Sequence, residues 1–194
     1  MNISPVAIVL IVIVVAAVGV LWWAIATYNK LVRRRNQVAA SWAQIDVQLK
    51  RRHDLIPNLV ETVKGYAGHE RATLEAVVAA RSRAVALTGG QEAGVAQRAQ
   101  VESALSATLG RLFALAESYP DLKANHNFAA LQSELASTED KIAYARQFYN
   151  TAVQGLQDVV TSFPSSIVAA MTGVKAAPYF QATGAEQAPV QVRF

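Results

Sequence analysis

A run of twenty-one residues without a charged side chain, VAIVLIVIVVAAVGVLWWAIA at 6–26, constrains this chain more than any other feature. As an α-helix it rises about 31 Å, enough to cross a hydrocarbon core. Trp22, Trp23 and Tyr28 follow at the depth that amphipathic rings prefer, and Lys30, Arg33, Arg34 and Arg35 form a basic collar behind them. The leading MNISP carries no positive charge and the apolar run exceeds a usual signal-peptide core. The segment therefore reads as an uncleaved anchor, although Ala24-Ile25-Ala26 resembles a cleavage site. Positive flanks stay cytoplasmic, which predicts a single-pass membrane protein with its N-terminus outside and its C-terminal body inside. The collar can also rest on anionic headgroups, at about 1 kcal/mol per cation.

The remainder, in a chain of 194 residues, has room for about one domain plus appendages. Cysteine is absent, which excludes disulfides, thiolate metal sites and a thiol nucleophile. The net charge of +4 equals the four cations of the collar, so it argues for a membrane surface rather than nucleic acid.

Residues 29–163 read as helix interrupted near Gly65 and Gly68, Gly89-Gly90 and Pro120-Asp121, giving expected helices at about 29–64, 69–88, 91–118 and 122–163. Phe128, Leu135, Ile142, Tyr149, Leu156 and Phe163 recur every seventh residue, with Leu131, Thr138, Ala145, Ala152 and Val159 as companions. Trp42, Leu49, Ile56 and Val63 repeat the pattern in the first helix, beside Leu31, Val38, Ile45, Arg52 and Leu59. Val101, Leu105, Leu112 and Leu115 supply the third. Sustained heptads joined by short connections predict an all-α protein: a transmembrane helix, then an antiparallel four-helix bundle of long helices. The expected organisation is a tail and anchor at 1–28, the bundle at 29–163, and an irregular apolar C-terminal tail at 164–194.

One stretch breaks the apolar rhythm. LKRRHDLIPNLVE at 49–61 places Arg52 on the seam beside Arg51, His53 and Asp54, with Pro57 one turn on. Pro57 predicts either a kink in the first helix or a fresh start capped by Asp54. A buried Arg52 needs a carboxylate, for which Asp54, Glu139 and Asp140 are candidates; otherwise the residue snorkels to the edge of a solvated polar layer.

YNKLVRRRNQVAASWAQIDVQLKRRHDLIPNLVETVKGYAGHE and YPDLKANHNFAALQSELASTEDKIAYARQFYNTAVQ…FPSSIVA are similar to the two signature blocks of the LemA family, and the likeness continues through APYFQA to VQVRF. The resemblance covers nearly everything from Tyr28 onward. It implies a bacterial single-pass membrane protein with a helical bundle. It carries no established enzymatic chemistry, and through some relatives it implies a tie to a specialised intracellular membrane.

Catalytic patterns are missing from the sequence. No glutamate is followed by a histidine three residues later, as a di-iron bundle requires, and neither a zinc motif nor a phosphate loop occurs. His53, His69 and His126 are scattered, so no metal or cofactor is expected. Tyr144, Arg146, Tyr149 and Asn150 form a candidate interaction patch. The tail, with Tyr179, Phe180, Val190, Val192 and Phe194, is too apolar for a free coil and is expected to pack along its own helices or reach a neighbouring subunit. The expected function is a scaffold that self-associates or binds an unidentified membrane or cytoplasmic protein. The alternative is a membrane-sited enzyme or accessory subunit that uses the polar layer around Arg52.

Overall fold

The computed structural model describes residues 5–88 and 94–180. Among them are six helices: α1 (Pro5–Lys64), α2 (Arg71–Thr88), α3 (Val95–Ala116), α4 (Pro120–Lys123), α5 (His126–Thr161) and α6 (Ser165–Thr172). No strand occurs among the described residues, in keeping with the all-α expectation. The apolar run and the first long amphipathic stretch are one helix of 60 residues. Within it lies a window apolar enough to cross a membrane, none of it buried in the protein.

The chain divides into two compact units. The first holds the described residues up to Ala40 together with Thr151–Ala177; the second holds Ser41–Asn150 with the segment from Pro178. In the first unit the buried side chains are Thr27, Leu31 and Val38 of α1, Ala152, Val153, Leu156 and Val159 of α5, and Val168 and Ala169 of α6. The Arg34 guanidinium crosses Gly155, where a Cβ would lie 3.3 Å from Nη1, so a larger residue there would push the arginine head aside by a few tenths of an ångström.

In the second unit one core draws on every described helix present. Ile56, Leu59 and Val63 come from α1, Leu74, Val77 and Ala84 from α2, Leu105, Leu109 and Leu112 from α3, Leu122 from α4, and Phe128 and Leu135 from α5. Each large aliphatic side chain so buried contributes about 1.5–3 kcal/mol. Asp46 meets Arg98 and Arg52 meets Glu102, so α1 and α3 run the same way. Trp42 meets Tyr149 and Arg52 meets Glu139, so α5 runs against α1. At the far end Asn125 donates to Tyr66 at 2.9 Å and Tyr119 donates to Glu70 at 3.0 Å, tying the connections together. Asn125 also accepts from the Phe128 amide and so opens α5.

The structure amends several boundaries. A single turn, α4, precedes α5, because Pro120 starts a helix that Ala124 ends. Helix α5 stops at Thr161, and Phe163, expected on the seam, lies beyond it and is 83 % exposed. The tail expected to be irregular begins with α6, an uncharged helix that starts after Pro164 and closes at Gly173 in the left-handed conformation, φ +68°.

Pro57 lies inside α1, which runs through it, so Asp54 caps no new helix. Proline has no N–H for the carbonyl of residue 53. Arg81 on α2 fills that gap: its Nε donates to the His53 carbonyl at 2.7 Å. Arg81→Met should therefore destabilise by about 1.5–3 kcal/mol, the range for a hydrogen bond to a charged group. In a Pro57→Ala background the new amide can serve the carbonyl, and the cost should fall below about 1 kcal/mol. Denaturant melts of the four proteins measure the coupling, and equal costs in both backgrounds would remove this role from Arg81.

Candidate functional site

The stretch at 49–61 puts Arg52 one helical turn before Ile56 on the buried face of α1, where only 1 % of its surface remains exposed. Its guanidinium is enclosed on both sides. One Nη pairs with Glu102 of α3, which is equally buried, and the other pairs with Glu139 of α5 and donates to Ser106 Oγ at 3.0 Å. His53, also buried, donates from Nε2 to the second oxygen of Glu102 at 2.9 Å. Burial alone would raise the Glu102 pKa, but the hydrogen bond from His53 and the charge of Arg52 outweigh it and hold the carboxyl below its usual value. Arg51 pairs with Glu134 at the surface, and Asp54 is exposed.

The expected snorkelling does not occur. Glu102 and Glu139 meet the guanidinium at depth, so the side chain has no need to reach water. Of the partners proposed from sequence Glu139 is used; Glu102 and Ser106 were missed. A signal for Glu102 exists in the register of α3. Arg98, Glu102, Leu105, Leu109, Leu112 and Ala116 are its buried row, whereas Val101 and Leu115 are only half-buried. A seam glutamate on α3 opposite a seam arginine on α1 is the pattern to look for.

Beside this cluster a cavity of about 330 Å³ opens between α3 and α5. Arg52, Ser106 and Glu139 form its polar part, and Leu109, Phe113 and Leu135 its apolar wall. Such a space fits a small molecule with an apolar body and one hydrogen-bonding end. No grouping of histidines and carboxylates suited to a metal occurs among the described residues. His69 and His126 are exposed, and His53 is engaged by Glu102.

The patch at Tyr144, Arg146, Tyr149 and Asn150 divides. Tyr144 is exposed, whereas the other three seat the chain's own segment at 178–180. Tyr149 donates its hydroxyl to the Pro178 carbonyl at 2.8 Å, and burial raises its pKa. The Asn150 amide takes both backbone groups of Phe180, accepting from its N–H at 2.9 Å and donating to its carbonyl at 3.1 Å. The Phe180 ring lies between Trp42 and the Arg146 guanidinium, 6.0 Å and 4.8 Å from them. Arg98 stacks in turn on Trp42, at 5.2 Å. Tyr179 and Phe180 thus fall on the chain's own second unit, while Val190, Val192 and Phe194 lie outside the described residues. Of the residues expected at a membrane interface, Trp22, Trp23 and Tyr28 are exposed on α1, followed by the collar.

Residues 41–194 match the LemA family. Magnetosome protein MamQ 2 of Paramagnetospirillum magneticum is 25 % identical over 208 residues, covering 96 % of this chain and 76 % of the relative. Magnetosome protein MamQ of Magnetospirillum gryphiswaldense is 23 % identical over 211 residues, covering 98 % and 78 %. Protein LemA of Metamycoplasma hominis is 25 % identical over 162 residues, covering 84 % and 72 %. None of these names specifies an enzyme.

Arg52→Leu leaves Glu102 buried without its cation and should cost about 3–5 kcal/mol. Because the folded-state pKa of Glu102 is depressed, its contribution is complete above the ordinary carboxylate range and is lost as the pH falls through the folded value. Thermal melts of the detergent-solubilised protein from pH 7 to 3 should therefore fall more steeply for the wild type than for Glu102→Gln. Parallel pH curves would show that Glu102 gives no such linkage.

Proposed function

The chain belongs to the LemA family, and on that premise we propose that it is a membrane-anchored helical-bundle scaffold. It self-associates and binds protein partners at the bacterial cytoplasmic membrane, and it has a part in organising that membrane. The basic collar holds the bundle against anionic headgroups, with the N-terminus outside and the bundle inside.

The observation that carries this reading is a pair of aromatic side chains on α5. Tyr144 and Phe148, one turn apart, are 65 % and 66 % exposed, more than any other described aromatic of their unit. Exposed aromatic surface of this kind is what lateral protein contacts use. The magnetosome proteins among the relatives, named for a specialised structure, support the membrane-organising part.

The cavity at Arg52 favours a second reading, an enzyme or accessory subunit binding a small molecule there. Gly110 lines this cavity and has open space around a Cβ, so Gly110→Leu would fill it with little strain on the helix. Loss of function with unchanged oligomer mass in that variant would favour the second reading over the scaffold.

Light scattering of the full-length protein in nanodiscs, with the lipid and belt mass subtracted, should give a discrete multiple of the 20.8 kDa protomer. Tyr144→Ser with Phe148→Ser should lower that mass at constant helicity. Truncation after Phe180, which spares the seat at Trp42 and Asn150, tests the remaining tail as a second contact. A monomeric wild type would sink the self-association.

A further inference from the structure

We propose that α6 is a second membrane contact, with Phe163, Ile167 and Met171 lying in the headgroup and upper acyl region of the bilayer beside the end of the anchor. The inference rests on the membrane-anchor reading above and adds an interfacial element to it.

The first support is position. In the first unit α1 is half-buried at Ala24 and buried at Thr27, Leu31 and Val38. Apart from α1, this unit contains only Thr151–Ala177. That segment therefore reaches the level of Thr27, one residue past the apolar run. The helical rise agrees. Arg34 meets α5 at Gly155. From there α5 continues about 9 Å to Thr161, while α1 runs back about 10 Å to Thr27. The start of α6 follows directly, where the bilayer surface must fall if 6–26 spans.

The second support is chemistry. Sixteen consecutive residues, 159–174, carry no charge, between Asp158 and Lys175. Helix α6 turns Val168 and Ala169 inward, yet on its other side Ile167 and Met171, one turn apart, are 51 % and 83 % exposed, and Phe163 just before the helix is 83 % exposed. A helix facing water presents charged residues there; one with no charge and large apolar side chains on both sides fits a core or a membrane surface better. On α6 the hydroxyls of Ser165 and Thr172, and just before it that of Thr161, are turned onto the backbone. Thr161 donates to the Gln157 carbonyl, Ser165 to Val159 and Thr172 to Val168, each at 2.8–2.9 Å. Satisfied hydroxyls remove much of the cost of entering a medium of low dielectric. Beyond Gly173, Lys175 lines one small cavity with Arg35 of the collar, so two cations stand where anionic headgroups would be. Apolar side chains flanked by cations, next to a span, fit a lipid surface in the manner of an interfacial helix.

The absence of cysteine makes single-site spin labelling of the full-length protein direct. Labels at Ile167→Cys and Met171→Cys in nanodiscs containing anionic lipid would be compared with Val15→Cys in the anchor and Ser82→Cys on exposed α2. Oxygen, which partitions into the bilayer, should relax labels 167 and 171 more than a water-soluble nickel chelate does, as it should label 15, with the order reversed at 82. Stronger relaxation by nickel at 167 and 171, with 15 still in lipid, would overturn this inference and leave the anchor standing. Exclusion of both reagents at 167 and 171 would mean that protein covers α6 and would equally overturn it. Nickel access at 15 would remove the anchor reading, and this inference with it.

Discussion

A guanidinium taken out of water is tolerable only where carboxylates meet it at the right place, and Arg52 imposes that condition on the whole second unit. Its partners sit on two other helices, Glu102 on α3 and Glu139 on α5, with Ser106 of α3 beside them. Apolar seams alone specify register weakly, because a one-turn slip exchanges one aliphatic contact for another. Here the same slip would strand Glu102 in the core and leave Arg52 against leucines. The ionic cluster thus contributes little net energy over an apolar replacement of all its members, but it selects one alignment of α1, α3 and α5 from several of similar burial.

The same logic recurs wherever the backbone is left short of partners. Pro57 withholds a donor from the His53 carbonyl, and the donor comes from Arg81 on a different helix. The backbone at Phe180 leaves regular structure, and Asn150 supplies its acceptor and its donor with one side-chain amide. Each local defect in one element is answered by a side chain of another, so the defects act as fasteners between elements. Asn150 addresses only the main chain of residue 180; the preference for an aromatic ring there comes from Trp42 and Arg146 on either side of it.

Much of this was legible from the sequence, and the limits have physical causes. Helix type and the anchor followed from composition and period, since 60 residues of α1 offer many repeats to average over. The first and fifth helices showed most of their buried rows, with Tyr149 and Thr138 among them; Arg52 was placed on the seam, but its burial was not foreseen. The row on α3 was misplaced because Val101 and Leu115 look more like core than Arg98 and Glu102; only knowledge of the facing Arg52 reverses the choice. Helix α6 went unseen because Pro164 and Gly173, breakers inside a helix, here stand at its two ends. The seat of Phe180 involves partners 30 residues apart joined through backbone atoms, and main-chain recognition leaves no residue pattern to read.

The ionic cluster also bears on how the chain is made. Arg52 and Glu139 are separated by 87 residues, and Arg52 and Glu102 by 50. At roughly 5–20 residues per second on the ribosome, Glu139 follows Arg52 by roughly 4–17 seconds. Throughout that interval α1 stands beside the membrane with its seam unmatched. A seam of leucine alone would offer the chaperones, the bilayer and other nascent chains a continuous sticky stripe. Arg52 and His53 interrupt that stripe with hydrated groups until α3 and α5 emerge to cover it. A charge that is costly in the finished protein thus serves as a solubilising group in the unfinished one.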